Sequence, residues 1–123
     1  MKIRILILLT FSLSGLGIAQ GANLLQATAD DEKAILVDME EKLKDASSAR
    51  LKDVFFIPQS EKGSYVMCGK VNAKNSYGAY AGYESFTGMR FDRSDGKHLY
   101  VVFRIGGVSA KFCDDEVKGF STR

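Results

Sequence analysis

Two cysteines constrain this chain most strongly, because a covalent link between them would fix which parts of the fold meet. Cys68 lies near the middle of the 123-residue chain and Cys113 lies close to its end. In an exported chain they are most simply a disulfide, since both reach an oxidising compartment and only one intramolecular pairing exists. Closing a loop of about 45 residues would stabilise the fold by roughly 4 kcal/mol. We therefore predict one disulfide, provided that the chain is exported.

The N-terminus carries the evidence for export. Two cations near the start precede the apolar run Ile5–Leu9 and a stretch of small residues that ends at Ala19, which is the layout of a secretory signal peptide. Gly17 and Ala19 are the small residues that a signal peptidase accepts before a cut after Ala19. The apolar run is far shorter than the roughly 20 residues that span a bilayer. We expect cleavage near Gln20, a periplasmic or secreted mature protein, and no stable membrane insertion afterwards.

Removal of residues 1–19 changes the charge balance. The full chain has 17 Lys and Arg against 15 Asp and Glu, and the leader holds two of the cations and none of the acids. The mature part is therefore electrically neutral. A neutral domain lacks the basic footprint of a general nucleic-acid binder, and no run of Lys and Arg with interleaved aromatics appears along the chain. We predict no nucleic-acid partner.

About 104 residues remain after cleavage, which is enough for a single domain. We interpret residues 20–29 as a flexible leader and residues 30–123 as one domain. Acidic residues from Asp30 onward suit a helix N-terminus, and apolar residues then recur at helical spacing, at Leu36, Met39, Leu43 and Ala46. This pattern predicts an amphipathic helix of about 15 residues. Asp45 and the serines that follow it are expected to cap a short new turn.

The rest of the chain predicts about four strands separated by reversals. They are expected at residues 54–57, 65–71, 79–92 and 99–105, with a bulge at Gly88 and a hairpin turn at Arg93–Gly96. Phe112–Cys113 suggests a last short pairing, and Asp114–Arg123 suggests a polar tail. The predicted fold is α+β, with the N-terminal amphipathic helix packed on one face of an antiparallel sheet of about four strands and one disulfide.

The most distinctive stretch is Cys68-Gly69-Lys70-Val71-Asn72-Ala73-Lys74-Asn75, followed by an aromatic and glycine-rich segment as far as Phe86. Here the chain resembles a group of small uncharacterised exported bacterial proteins, over most of its mature length. They share this stretch, a late cysteine, and an Asp-Pro-x-Ser-Ala-like turn that is matched by Asp45–Ala49, with Ala46 in place of the usual proline. The resemblance implies export, and it implies no biochemical activity.

Polar and aromatic side chains are concentrated in the same segment. The candidate binding residues are Asn72, Lys74, Asn75, Tyr77 and Tyr80. Such a composition is found where rings and amides hold a protein or a sugar, although asparagines also close turns and tyrosines also cover sheets. We expect region 72–86 to bind a protein or a cell-envelope component, with inhibitor-type or immunity-type recognition as one version.

Catalytic groups are sparse in the sequence. His98 is the only histidine and follows a turn. A small hydrolase or thiol enzyme using Cys68 and His98 is the alternative reading, and it would require the disulfide to be absent. No histidine and carboxylate ligands stand at metal-binding spacing, and no glycine-rich phosphate loop is present. The sequence therefore favours a non-enzymatic domain and predicts no cofactor and no metal.

Overall fold

The computed structural model describes residues 24–123, so the predicted signal peptide at residues 1–19 lies outside the described residues. Along the chain lie β1 (Leu25–Gln26), α1 (Ala29–Met39), a 3-10 turn (Ala46–Ser48), β2 (Arg50–Pro58), β3 (Ser64–Asn72), β4 (Glu84–Asp92), β5 (His98–Ile105) and α2 (Ser109–Ser121). The strands form one antiparallel sheet in chain order, β1-β2-β3-β4-β5. The predicted α+β class is confirmed, with five strands and a second helix.

The sheet is covered by a different helix on each face. Successive side chains of a strand point to opposite faces, and β3 shows this by sending Met67 to one apolar cluster and Cys68 to another. The first cluster contains the buried α1 residues Ile35 and Met39. The second contains Cys113 of α2, which is joined to Cys68 by the predicted disulfide. The bridge thus ties α2 to the central strand.

The start of α1 is fixed by a reciprocal cap. The Thr28 hydroxyl accepts a hydrogen bond from the Asp31 backbone N–H, and the Asp31 carboxylate accepts one from the Thr28 N–H at 2.7 Å. The helix ends at Met39, earlier than the spacing predicted, because hydrogen-bonded turns replace it at residues 40–42. Leu43 still packs against the core beyond that point. The predicted cap at Asp45 is confirmed, since its side chain accepts the Ser48 N–H.

The sheet begins inside the segment interpreted as a flexible leader. Leu25 and Gln26 pair with Phe56 and Phe55 of β2, so the prediction of a flexible leader is wrong for the described end of residues 20–29. Only two residues pair, and a strand that short leaves no periodic pattern in the sequence.

Three further predictions are wrong in the second half of the chain. Residues 79–83 are not part of the strand predicted at 79–92, which begins at Glu84 as β4. The short pairing expected at Phe112–Cys113 and the polar tail expected after it are both part of the helix α2, in which Cys113, Val117 and Phe120 form the second cluster or pack against it. Their spacing is helical, but the charged residues between them dominated the sequence pattern.

The predicted irregularity at Gly88 is confirmed, although the extra residue stands on the neighbouring strand. The pairing of β4 with β5 shifts between Thr87 and Gly88, and Phe103 of β5 is the unpaired residue. A Cβ atom at Gly88 would lie 2.1 Å from the Val101 carbonyl oxygen. Glycine is therefore required where the two strands approach each other.

One edge of the sheet is closed by a helix side chain. β5 is the outer strand, and its Val102 N–H donates a hydrogen bond of 2.7 Å to the Asp38 carboxylate of α1. An unpaired strand edge can recruit another chain. Asp38 satisfies a backbone donor at the middle of this edge and so makes strand addition there less favourable.

Neither helix of residues 24–123 has the length and apolar character needed to cross a membrane. The disulfide is consistent with an oxidising compartment outside the cytoplasm.

Candidate functional site

The loop between β3 and β4 is held in place by its two asparagines. The Asn75 side-chain oxygen accepts hydrogen bonds from the Tyr77 and Ala79 N–H groups at 2.9 and 3.2 Å. The Asn72 side-chain oxygen accepts one from the Gly82 N–H at 3.2 Å. Both predicted binding residues therefore shape the loop, and their side-chain oxygens are occupied.

The two predicted tyrosines differ in availability. Tyr77 is 95% exposed at the tip of the loop. Tyr80 is half-buried, and its hydroxyl donates a hydrogen bond of 2.9 Å to the Ser48 carbonyl oxygen. Lys74 is also anchored to Ser48, because its backbone N–H donates a hydrogen bond of 3.0 Å to the Ser48 hydroxyl. Tyr80 and Lys74 thus fasten the loop to the 3-10 turn and leave Tyr77 projecting.

Two cations of β2 that the sequence pattern did not indicate lie against the rings of Tyr80 and Tyr83. The Arg50 guanidinium carbon lies 4.4 Å from the centre of the Tyr80 ring, and the Lys52 ammonium lies 4.3 Å from the centre of the Tyr83 ring. Both distances are in the range of a cation–π interaction. The contacts join residues from strands and loops that are distant in the chain, so no linear run of Lys, Arg and Tyr indicated them.

A β-bulge determines which charge stands beside Lys70. Lys52 pairs directly with Lys70, Phe55 pairs with Cys68, and the register shifts between them. Asp53 and Val54 therefore stand opposite the single residue Gly69, and Asp53 adopts a left-handed backbone with φ of 52°. If the register of the Phe55–Cys68 pair continued without the bulge, Asp53 would stand opposite Lys70, because paired positions on antiparallel strands advance one for one. The bulge therefore replaces an opposite-charge pair with a like-charge pair.

The bulge also has a structural benefit. It turns both Leu51 and Val54 toward the core on the α1 face, where each packs against the first cluster. The side chains between them consequently face the other way, and Arg50 and Lys52 share the face of Lys70. The bulge also has a cost, because it leaves Lys52 and Lys70 directly opposite each other, and like charges in that position on neighbouring strands are destabilising.

We define the basic–aromatic surface as Arg50, Lys52, Lys70, Lys74, Tyr77, Tyr80 and Tyr83. Within residues 24–123, none of its four cations forms an ion pair with a carboxylate. The surface therefore concentrates positive charge on a domain that is neutral as a whole.

A cleft adjoins this surface on the α2 side of the sheet. Its volume is about 470 Å³, and its lining residues are Asp53, Phe55, Cys68, Gly69, Lys70, Ser85, Ala110, Cys113 and Asp114. Most of the buried lining is apolar or sulfur, whereas the charged residues are exposed. Lys70 belongs both to the cleft and to the basic–aromatic surface.

A second polar cluster lies on the α1 face around a buried arginine. Arg90 is 6% exposed, and its guanidinium packs against the rings of Phe56 and Tyr65, at 4.6 and 4.4 Å from their centres. It contacts Asp92 at 3.1 Å and Asp31 at 4.0 Å. The cluster joins the first turn of α1 to β4.

The titration behaviour of this cluster indicates a structural role. Burial alone would raise the pKa of Asp31, but hydrogen bonds from Thr28 and Tyr100 and the charge of Arg90 outweigh it and lower that pKa. Burial, together with the hydrogen bond that Tyr100 donates to Asp31, raises the pKa of Tyr100 well above its usual range. Tyr100 therefore remains a neutral donor and Asp31 a charged acceptor.

The alternative thiol site is not assembled. Cys68 is bonded to Cys113 and belongs to the cluster under α2. His98 contacts Asp92 at 2.8 Å and lines a pocket with residues of α1, on the other face of the sheet. An imidazole there is too far from the sulfur to act as its base. The part of the chain that the structure describes contains no group of three metal-ligating side chains.

No family model, curated protein or solved structure matches the chain. The resemblance to small exported bacterial proteins stays a prediction.

Proposed function

We propose that the mature protein is an exported, non-enzymatic binding domain that recognises a protein or a cell-envelope component through the basic–aromatic surface. The observation that carries the proposal is Tyr77, which is 95% exposed on a loop held by hydrogen bonds. Tyrosine supplies a large contact area with few rotatable bonds, and it is enriched among the residues that dominate binding energy.

The order of the loop supports the proposal. Asn72 and Asn75 hold its backbone, and Tyr80 and Lys74 fasten it to Ser48. A surface that is ordered before it meets a partner loses less conformational entropy on binding. A rigid loop on a disulfide-linked sheet suits inhibitor-type or immunity-type recognition.

The compartment is the periplasm or the exterior of the cell in this proposal. The signal-peptide pattern of residues 1–19 and the disulfide both favour it. The partner is then a protein or an envelope component that is present in the same compartment.

The proposal is tested by cross-linking pull-down, with oxidised residues 20–123 as bait in periplasmic extract of the native host. We expect Tyr77→Ala to lower recovery of the specific partner by about 5- to 30-fold, the usual cost of truncating a hot-spot aromatic. Tyr80→Ala should lower it as well, because the loop loses its anchor to Ser48.

The matched control is Val37→Ala, which truncates a side chain that is 61% exposed on α1. It should recover the partner as the wild type does, and all variants should melt at comparable temperatures. Equal recovery with Tyr77→Ala and Val37→Ala would refute the proposal.

A further inference from the structure

We infer that the partner presents an acidic protein segment, whose carboxylates meet Lys52 and Lys70 while an adjacent apolar side chain enters the cleft beside α2. This inference rests on the proposed function and names the chemistry of its partner.

The first support is the like-charge pair itself. Lys52 and Lys70 stand directly opposite each other, and neither has a carboxylate partner in residues 24–123. Local arrangements that disfavour the free protein are expected mainly at functional sites. A carboxylate that reaches both ammonium groups would be attracted to each of them.

The second support is the way the neighbouring cations are held. Arg50 is stacked on Tyr80 and Lys52 on Tyr83, which limits the positions of their charged groups. A guanidinium stacked by its face still presents its N–H groups along its edge, where a carboxylate can bind in a bidentate manner. The surface therefore offers ordered donors to an acidic segment.

The third support is that the cleft is joined to these charges through Lys70. Its volume of about 470 Å³ lies within the roughly 300–1,000 Å³ of typical binding pockets, so it can take a large side chain. Phe55 and the disulfide supply apolar lining. A partner residue in this cleft would bring its chain neighbours to Lys70 and Lys52.

The distribution of acids favours discrete carboxylates over a dense polyanion. Asp53 and Asp114 line the same cleft as Lys70. A nucleic acid, a polyphosphate or an anionic membrane would bring its charges against these acids. A protein segment can place single carboxylates at the lysines and an apolar group beside the aspartates.

The chain contains no tryptophan, so a tryptophan in a peptide reports on binding without interference. The probes are 12-residue peptides with one Trp and two Glu at spacings of one to four residues, each with a matched peptide that carries Gln in place of Glu. They are titrated with oxidised residues 20–123 at low and at physiological salt. We expect a blue-shifted, saturating Trp signal and an affinity about 3- to 30-fold higher for at least one Glu peptide than for its Gln match.

The variants separate the charges from the cleft. Lys52→Gln/Lys70→Gln should abolish the preference for Glu over Gln. The control Lys62→Gln/Lys97→Gln removes the same amount of charge from exposed turns at the other end of the sheet. It should retain the preference for Glu peptides over Gln peptides. Ala110→Leu, which narrows the cleft, should lower the affinity for the Glu peptides and for the Gln peptides equally.

Several results would overturn the inference. They are equal affinity for Glu and Gln peptides across the panel, an unshifted Trp signal, an unchanged preference in Lys52→Gln/Lys70→Gln, and tighter binding of polyphosphate or phosphatidylglycerol vesicles than of any peptide. The pull-down distinguishes the two proposals. If Tyr77→Ala loses the native partner while Lys52→Gln/Lys70→Gln keeps it, the binding function stands and the acidic partner is refuted.

Discussion

Replacing both cysteines by alanine should lower the stability of the domain by a large fraction. Cys68 and Cys113 are 1% and 8% exposed, so alanine avoids the burial of a hydroxyl that serine would introduce. The bridge spans a sequence separation of 45, for which the loop-entropy treatment gives about 4 kcal/mol. Total stabilities of small domains are about 5–15 kcal/mol. The bridge therefore supplies roughly a quarter to four-fifths of the total, and the variant should fold with a much lower free energy of unfolding.

The structure also predicts where the loss is felt first. Among the residues of α2, only Ser109 and Cys113 are buried. The helix therefore depends on the bridge and on the partly buried Val117 and Phe120. Without the bridge, α2 should open locally before the sheet does.

Urea unfolding and hydrogen exchange measure the two effects. For an m-value of about 1–2 kcal/mol per M, the urea midpoint should fall by about 2–4 M relative to the oxidised wild type. In the variant, amides of residues 109–121 should exchange faster than those of β3. A fall of less than about 0.5 M, or equal protection of α2 and β3, would refute the view that the disulfide holds the helix on the sheet.

Three further changes test the packing of the fold. Gly69→Ala should lower the free energy of unfolding measured in urea by about 1–3 kcal/mol, because the new Cβ would lie 2.7 Å from the ring of Phe86 in a closely packed core. A stability equal to that of the wild type would contradict this packing. Asp38→Ala should lower the free energy of unfolding by about 1–2 kcal/mol and increase self-association measured by sedimentation, because the Val102 N–H loses its acceptor. A variant that stays monomeric and is as stable as the wild type would contradict the role of this hydrogen bond. Folding lowers the pKa of Asp31 from its ordinary 3.8, so the stabilisation from its charge is present above that pH and is lost as the pH falls through the folded pKa. The urea midpoint should therefore fall more steeply with acid in the wild type than in Asp31→Asn, and parallel curves would exclude this linkage.

The parts of the fold that the sequence predicted are those with strong local patterns. The strands at Tyr65–Val71 and Leu99–Ile105 and the hairpin turn between β4 and β5 follow from apolar, β-favouring runs and turn residues, and the structure contains them. The disulfide was predicted from the expected export of the chain, and the structure contains it. The helix α2 was missed because the acidic run Asp114–Glu116 separates Cys113 from Val117, so that its apolar residues form a face only in three dimensions.

The candidate site was predicted in part. The loop residues from Asn72 to Tyr80 were identified from composition, but the hydrogen bonds of the asparagines give them a structural role. Arg50 and Lys52 could not be found in the same way, because they reach the site through strand pairing. The face on which Lys52 lies depends on a one-residue bulge, and no property of the residues near Asp53 alone determines its position.

The most direct test of the binding surface is photo-cross-linking in living cells of the native host. A benzophenone amino acid is placed at Tyr77 in one variant and at Ser94, an exposed position in the hairpin at the far end of the sheet, in another. The account predicts a discrete covalent adduct from position 77 that is absent or much weaker from position 94. Equal adducts from both positions, or an adduct from position 94 alone, would contradict the claim that the protein acts through its basic–aromatic surface.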